Sequence, residues 1–280
     1  MQNSAATIEL AVASIIAQSF VDWELIIVDD GSQDDSAERV NRFRDSRIRL
    51  VTDVPPVRRG LAIRLNQAID LARGEFIARM DADDVAFPER FAQQIAALRA
   101  DPSIDLVGAA MLVFADDGRA VGLHPAAPTH EEICARPYRG FYLPHPSWMG
   151  KVAWFRRWRY DPAYTKSQDQ DLLRRSWRSS RFAALSNPLV GYRQDRISLT
   201  KQWKSRYFGV RSIWQAVWRD RKPWIGIVAT VAQAARAMVE TVAVVTGTER
   251  VLLPHRARPI SAAQLDRWQA VWRQLKGEVD

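Results

Sequence analysis

The sequence predicts an α/β fold in which a mostly parallel central sheet is flanked by helices, followed by an α-helical C-terminal extension. Helical and strand-like patterns alternate through the first 114 residues, as in chains built from strand–helix units. The candidate strands are short and almost entirely apolar, which is typical of sheets covered by helices on both faces. Acidic clusters follow two of these strands, and ligands of open α/β sheets bind beyond such strand ends.

The individual elements follow in a regular order. Apolar residues recur at helical spacing in segments 7–19 and 60–72, and a more polar helix is predicted for segment 33–44. Strands are predicted for segments 25–28, 47–53, 75–80 and 104–114, and a further helix from Pro88 to about residue 98. We therefore place one α/β domain at residues 1–200 and a basic, Trp-rich helical region at residues 201–280.

The composition of the 280-residue chain fits a folded protein in a reducing compartment. Hydrophobic residues make up 47%, which is enough for one large core or two smaller ones. Cys134 is the single cysteine, which excludes a disulfide framework, and the N-terminus does not resemble a signal peptide, so we expect a cytoplasmic location. Charge is divided unevenly: residues 1–150 hold 15 Arg, no Lys and 22 acids, whereas residues 151–280 hold 25 Lys or Arg and 10 acids.

Carboxylates are concentrated directly after the strands at 25–28 and 75–80. Asp29 and Asp30 follow the first strand, and Asp81, Asp83 and Asp84 follow the second. Carboxylates so close together repel one another unless a positive charge lies among them. The carboxyl ends of neighbouring parallel strands meet at one edge of a sheet, so we expect the two clusters to share a crevice. Hard cations prefer oxygen ligands, and the pattern therefore predicts a divalent cation there, Mg²⁺ or Mn²⁺.

Five segments of the chain, in order and at characteristic spacing, carry a resemblance to a known family. They read SIIAQSFVDWELIIVDDGSQDDS, GLAIRLNQAIDLARGEFIARMDADD, HPSWMGK, YDPAYTKSQDQDLLRRS and GYRQDRISLT. Residues 3–200 thereby resemble the family 2 glycosyltransferases, which have the GT-A nucleotide-sugar fold. The resemblance implies a metal-dependent, inverting hexosyltransferase that moves a sugar from a nucleotide-diphosphate donor to a cell-surface polysaccharide, glycolipid or lipid-linked acceptor.

The resemblance also implies roles for four aspartates. Asp30 would hydrogen-bond the nucleotide base, Asp81 would lie near the ribose or the metal, and Asp83 would ligate the metal directly. Asp169 would be the general base that takes a proton from the acceptor hydroxyl, with burial raising its pKa toward neutrality. A structural alternative for Asp169 is a helix N-cap. The family usually has Glu at the position of Gln168.

Four other residues have two interpretations each, and a fifth has one. His145 would lie beside the acceptor or metal by resemblance, although loop histidines are commonly structural. Trp148 would form a platform for a sugar ring or pack in the core. Arg58 and Arg59 would meet diphosphate oxygens or be solvated, and Arg193 is a further candidate for a phosphate contact.

The chain departs from the family pattern at its N-terminus. The family's first strand, which is central in its sheet, is missing before Asn3, and its loss would expose neighbouring strand edges. We hypothesise either a true start upstream or a truncated, impaired protein. One alternative function is therefore a catalytically impaired nucleotide-sugar-binding protein of the same fold, which Gln168 also favours. A nucleotidyltransferase is a second alternative, although the sequence lacks the Gly-rich phosphate loop expected after its first strand.

The C-terminal region combines cations with tryptophans. Residues 203–222 form a basic helix with an aromatic face, which indicates either contact with an anionic membrane surface, at the inner face of the cell membrane, or an ordinary appendage that completes the core. The following apolar run contains Arg236 and Glu240, which argue against a transmembrane helix and favour a helix that packs on the catalytic domain. A last amphipathic helix is predicted from a Ser261 cap. The sequence contains no nucleic-acid-binding motif, so nucleic acid is not an expected partner.

Overall fold

A computed structural model describes residues 1–194, 199–246 and 258–279 of the chain. The first 114 residues fold into the alternating pattern that the sequence predicts. The helices are α1 (Ile8–Ile16), α2 (Ser36–Arg42), α3 (Leu61–Leu71) and α4 (Arg90–Ala100). The strands are β1 (Leu25–Val28), β2 (Ile48–Val51), β3 (Phe76–Ala78), β4 (Val85–Ala86) and β5 (Leu106–Phe114). The sequence did not predict β4, because two residues are too few to show a periodicity.

The remaining described residues form a second group of short strands and a set of helices. The strands are β6 (Ala120–His124), β7 (Met149–Lys151) and β8 (Phe182–Arg193). The helices are α5 (His130–Ile133), α6 (Val152–Arg157), α7 (Gln168–Ser176), α8 (Leu199–Arg219), α9 (Pro223–Val245) and α10 (Ala262–Val279), with 3₁₀ turns at His145–Ser147 and Trp177–Ser179. No helix within the described ranges has both the length and the apolar character needed to cross a bilayer.

The strands form two sheets, and the predicted α/β class is confirmed. Strands β1 and β2 pair in parallel, and the larger sheet has the order β3-β7-β5-β8-β4, with β6 also paired to β5. In the larger sheet β5 and β8 are parallel, whereas the pairs that involve β3, β4, β6 and β7 are antiparallel. The sheet is thus mixed, and the prediction of a mostly parallel sheet was wrong in this detail. Short strands that return from loops run against their neighbours, and two or three residues give no sequence signal of direction.

The core lies around β5, whose nine residues are all buried. The C-terminal helix α10 completes this core, because Trp268 is buried against Phe87 and Phe114 and donates from Nε1 to the Gly118 carbonyl at 2.7 Å. The cap predicted for this helix is present, since Ser261 Oγ accepts from the backbone N–H of Gln264 at 3.3 Å. The last helix therefore belongs to the same packed unit as the first 200 residues.

Helices α8 and α9 form an antiparallel hairpin beside α7. The inner face of α9 packs on α8, where the Trp214 indole donates to Thr230 Oγ1 at 3.0 Å and Gly226 lies directly against Trp214 and Val217. The outer face of α9 is exposed. The sequence favoured an amphipathic or buried helix packed on the catalytic domain, and the structure shows α9 packed on α8 with its outer face exposed. A count of apolar residues indicated burial, but only the packing decides which of several apolar faces meets a partner.

Candidate active site at the ends of β1 and β3

Asp30, the last residue of the acidic pair after β1, lies at the N-terminus of α3. Its Oδ1 accepts from the backbone N–H groups of Arg59 and Gly60 at 2.7 and 3.0 Å and from Arg64 Nε at 3.0 Å. Burial by itself would raise the pKa of Asp30, but these hydrogen bonds together hold that pKa below its ordinary value. The carboxylate is therefore charged at neutral pH, and its Oδ2 retains acceptor capacity toward the crevice.

The loop at 57–60 is held against the end of β1 by close backbone packing. Gly31 has φ +71°, and a Cβ at this position would lie 2.9 Å from the carbonyl carbon of Val57, so the approach requires glycine. The Arg59 side chain pairs with Asp53 at 3.1 Å and is half exposed, while Arg58 is exposed. A diphosphate contact of either arginine stays a prediction, and the backbone N–H of Arg59 orients Asp30.

Three carboxylates meet directly after β3. One oxygen each of Asp81, Asp83 and Asp84 lies within 4.8 Å of the others, which is a spacing that a single divalent ion can bridge. Asp84 is 1% exposed, and burial, followed by the charges of Asp81 and Asp83, raises its pKa well above the ordinary range. The donor set is made of oxygen alone and therefore fits Mg²⁺ or Mn²⁺.

Two arginines supply positive charge to this acidic cluster. The buried guanidinium of Arg79 binds Asp81 through Nη2, while its Nη1 has no hydrogen-bond partner among the described residues. Arg193 lies on the other side, donating from Nε to the Asp83 carbonyl at 3.0 Å and from its backbone N–H to Asp84 at 3.0 Å. Arg193 thus orders the acidic loop, whereas the sequence had suggested a phosphate contact. Arg79 was missed, although an arginine two positions before the first acid was a visible signal.

The charges of both acidic strand ends act on one group, the N-terminal ammonium of Met1. The Met1 ammonium donates to the Val28 carbonyl at 2.7 Å, and the Asp30 N–H donates to the Met1 carbonyl at 2.9 Å. Burial lowers the pKa of this ammonium, and the charges of Asp29, Asp81 and Asp30 oppose that shift. Charges from both strand ends therefore act on one part-buried ammonium, and the shared crevice that the sequence predicts stays a prediction.

Asp169 is the second residue of α7, and the charge of Arg79 acts on it. The residue before the helix is Ser167, at φ +55°, so Asp169 is not the N-cap and the structural alternative was wrong. Burial raises the pKa of Asp169, and this outweighs the lowering by hydrogen bonds from Gln170 and by the charge of Arg79. The neighbouring Gln168 is buried, and its Oε1 has no partner in the described part of the chain.

An aromatic group lies beside Arg79, whose backbone N–H donates to the Trp148 carbonyl at 2.8 Å. His145 Nε2 lies 2.8 Å from the Tyr160 hydroxyl, and burial, with the charge of Arg79, holds the pKa of His145 well below its ordinary value. The imidazole is therefore neutral and suited to a structural hydrogen bond. Trp148 is fully buried and donates from Nε1 to the Leu143 carbonyl at 3.1 Å, so the suggested sugar platform is wrong and this residue belongs to the core.

Arg79 links the acidic cluster to the candidate base. Its charge acts on the pKa values of Asp84, Tyr160 and Asp169, and it binds Asp81 directly. The site therefore combines an oxygen-rich ion-binding cluster, a charged carboxylate at a helix N-terminus, a half-buried carboxylate with a raised pKa and a buried cation with a free donor. Such a set is suited to a negatively charged substrate that must give up a leaving group while a hydroxyl is deprotonated.

Comparison with known sequences identifies relatives of this chain. The Glycosyl transferase family 2 model matches residues 1–159. The putative glycosyltransferase EpsE of Bacillus subtilis is 35% identical over 130 residues, covering 45% of this chain and 46% of that protein. The Escherichia coli protein WfgD, a UDP-Glc:α-D-GlcNAc-diphosphoundecaprenol β-1,3-glucosyltransferase, is 37% identical over 93 residues, covering 33% of this chain and 36% of that protein. Both matches span under half of the relative's length.

Comparison with solved structures supports the fold. Glucosyl-3-phosphoglycerate synthase from Mycobacterium tuberculosis, solved with Mn²⁺, UDP and glucosyl-3-phosphoglycerate, superposes with a TM-score of 0.56 at 22% identity. The superposition covers 77% of each chain. This likeness confirms the GT-A-like architecture of the α/β unit.

Proposed function

The chain belongs to glycosyl transferase family 2, and from that premise we propose that it is a metal-dependent, inverting glycosyltransferase. It transfers a hexose from a nucleotide-diphosphate donor to a polysaccharide, glycolipid or lipid-linked acceptor in the cytoplasm. The observation that carries this proposal is the convergence of the Asp81, Asp83 and Asp84 carboxylates within 4.8 Å at the end of β3. The lipid-linked acceptor is supported by WfgD, whose name states a diphosphoundecaprenol acceptor.

The donor nucleotide would bind between the ends of β1 and β3. Asp30 is charged and held in a fixed orientation by Arg64 and by the N-terminus of α3, and its Oδ2, which has a further acceptor lone pair, would accept from a base N–H. Asp81 would lie near the ribose or share the metal, since Arg79 already engages one of its oxygens. Asp83 would be the direct metal ligand. A bound Mg²⁺ or Mn²⁺ supplies neutralisation of the charge that develops on the departing nucleoside diphosphate.

The acceptor hydroxyl would be deprotonated by Asp169. Its raised pKa makes it a better base than a solvated aspartate, because the proton affinity of the carboxylate is higher. Attack from the side opposite the departing diphosphate inverts the configuration at the anomeric carbon. Asp169 is held by α7, which is anchored to α8 by the hydrogen bond from Ser167 Oγ to the Ser205 carbonyl at 3.0 Å. The proposed base therefore lies on a helix, α7, that is held in place by α8.

Arg79 would be a positioning residue between the donor-binding acids and the proposed base. It fixes Asp81, and its unpartnered Nη1 is buried beside the crevice, where an oxygen of the donor would satisfy it. An isolated buried donor costs free energy in the empty protein, and binding of an oxygen-rich substrate removes that cost. The residue therefore favours the donor-bound state over the free state.

The test is a panel of nucleotide sugars screened by thermal shift with and without Mn²⁺. A specific donor raises the midpoint of unfolding by mass action, and the same donor should then be hydrolysed or transferred in a metal-dependent manner. Absence of any donor-dependent shift and of any turnover would sink the proposal. A donor-dependent shift without turnover would favour the impaired nucleotide-sugar-binding protein, which the glutamine at position 168 supports. Family membership favours sugar transfer over nucleotidyl transfer.

A further inference from the structure

The outer face of α9 carries a continuous apolar stripe without a partner in the described structure. Seven large apolar side chains on this helix are 53–68% exposed: Trp224, Ile227, Val228, Val231, Met238, Val239 and Val242. At 3.6 residues per turn they fall within roughly one third of the helix circumference, and they extend over roughly 27 Å of its length. Exposed apolar surface of this extent on a folded protein marks a site of interaction.

The stripe is a separate feature from the packing that holds the hairpin together. The residues of α9 that contact α8, including Gly226, Thr230 and Gln233, lie on the opposite side of the helix. The hairpin is also fixed to the catalytic unit by Asp220, which accepts from Arg178 at 2.6 and 2.9 Å and from the Tyr138 hydroxyl at 2.7 Å. The stripe is therefore exposed while the rest of the hairpin is firmly docked.

The charges around the stripe are strongly positive. Residues 199–245 contain eight Lys or Arg and two acids, and one of those acids, Asp220, is consumed by the ion pair with Arg178. Arg219, Arg221 and Lys222 are exposed at the end of the hairpin where α9 begins. Two exposed tryptophans, Trp218 and Trp224, lie at the same end. Tryptophan together with Lys and Arg at the edge of an apolar face is the pattern of helices that lie in a bilayer interface.

We infer that the outer face of α9 inserts into an anionic lipid surface, with Arg219, Arg221 and Lys222 in contact with the headgroups. The apolar stripe lies parallel to the membrane plane, and the tryptophans take the headgroup level. Two copies joined through this face would each bring the same excess of cations, whereas anionic headgroups neutralise it. The sequence assigned membrane contact to residues 203–222, where Trp203, Tyr207 and Trp218 are exposed, and this inference assigns the inserting face to the following helix.

The position of the stripe fits the proposed function, although the inference of membrane binding does not depend on that function. Helix α8 connects α9 to α7 through two hydrogen bonds. Ser167 Oγ donates to the Ser205 carbonyl, and Arg174 Nη1 donates to Ser212 Oγ at 2.7 Å. The element that carries Asp169 is therefore rigidly connected to the inserting helix. A lipid-linked acceptor would be presented to the base by the surface on which the protein lies.

The inference is tested by sedimentation of the whole protein with lipid vesicles. Vesicles of phosphatidylcholine alone are compared with vesicles that also contain phosphatidylglycerol. The test variant changes Val228, Val231 and Val242 together to Ser, and the matched control changes the exposed Val21, Val54 and Val121 to Ser. We expect the wild type and the control to bind the anionic vesicles and to be released by salt. We expect the affinity of the test variant for these vesicles to fall by about tenfold or more.

Each other outcome overturns the inference. Equal binding of the test variant and the wild type would show that the apolar stripe does not contribute to vesicle binding. Equal binding of the wild type to both kinds of vesicle would show that the cations do not contribute. A wild-type dimer in analytical ultracentrifugation that becomes a monomer in the test variant, without vesicle binding, would assign the face to a second copy. Because the mutated side chains are exposed, an unchanged thermal midpoint verifies that the variants are folded. An unchanged donor-induced shift keeps this result separate from the proposed sugar transfer.

Discussion

The crevice behind β1 and β3 and the outer face of α9 both place side chains in surroundings that do not match their polarity. In the crevice, carboxylates lie close together, and two of them pair with buried arginines: the buried Asp30 with Arg64, and the partly exposed Asp81 with Arg79. On α9 the mismatch is reversed, since large apolar groups face water. Natural proteins keep such conflicts mainly where a ligand resolves them. From this comparison we expect the crevice to bind a polar, ionic ligand and the outer face of α9 to bind an apolar surface.

The two regions also differ in how they are held. The crevice residues come from elements far apart in sequence, and a network of ion pairs and backbone hydrogen bonds fixes them. The α9 stripe comes from one helix and needs only that helix and its docking on α8. Changes in the crevice should therefore alter chemistry strongly, and changes in the hairpin should alter stability and location with little effect on the reaction.

The largest effect is expected for Asp83→Ala. Loss of the proposed direct metal ligand should lower metal-dependent turnover by roughly 1,000-fold, because the electrostatic stabilisation of a leaving diphosphate is worth several kcal/mol. Turnover of the donor in Mn²⁺ and calorimetric Mn²⁺ binding measure this. Asp117→Ala, at an exposed loop position, is the matched control and should retain activity. Undiminished turnover in the Asp83 variant would remove the metal assignment.

The next effect is expected for Asp169→Asn. The asparagine is nearly isosteric but cannot accept the proton, so transfer should fall about 100- to 10,000-fold while donor affinity is unchanged. The base works only when deprotonated, so wild-type kcat/KM should fall as the pH is lowered through the raised pKa of Asp169. That acidic limb should be lost in the variant. Asp22→Asn, at an exposed position, is the control. Equal losses in donor affinity and transfer would instead make Asp169 structural.

A smaller effect is expected for Arg79→Met. Turnover should fall about ten- to a hundredfold, because Asp81 loses the group that orients it and a buried donor to the substrate is removed. Mn²⁺ affinity should rise at the same time, since a positive charge next to the carboxylates is gone. This split between turnover and metal affinity would not arise from a general loss of structure. Arg79→Lys should keep the low metal affinity and recover only part of the turnover.

The smallest effect is expected for Asp220→Asn, which tests the docking of the hairpin. Hydrogen bonds from Arg178, together with that from Tyr138, lower the pKa of Asp220 to about 2. The carboxylate therefore adds stability that is present above its unfolded-state pKa of about 3.9 and is lost as the pH falls through about 2. The variant should lose about 1–2 kcal/mol of unfolding free energy at pH 7. This value allows for solvent screening of the ion pair, because Arg178 is half exposed.

Urea unfolding of Asp220→Asn as a function of pH gives the sign of this effect. The difference between wild type and variant should shrink as the pH is lowered from about 4 toward about 2, because the wild-type carboxylate becomes protonated there. Asp117→Asn is the matched control and should unfold like the wild type. A constant difference across that range would show that the Asp220 charge does not stabilise the docked hairpin.

Most of the α/β half could be predicted because its signals are local. Apolar runs such as the one at β1, helical spacing in α3 and the acids after β3 are each written within a dozen residues. The roles of Arg79, Trp148 and Arg193 could not be predicted in this way. Arg79 and Arg193 depend on partners distant in sequence, since the Arg79 charge acts on Asp169 and Arg193 reaches back to the loop at 83–84. Trp148 donates to the Leu143 carbonyl, five positions away, and its burial depends on the core that forms around it.

The sequence by itself determined the α/β class, the family, the two acidic strand ends and the basic, Trp-rich character of the C-terminal region, because periodicity, composition and motif spacing are properties of short segments. The tertiary structure alone decided the strand directions in the larger sheet, the cation that meets Asp81, and which face of α9 remains exposed. These features depend on which surfaces meet after the chain has folded, and burial and pairing energies between distant segments leave no local pattern.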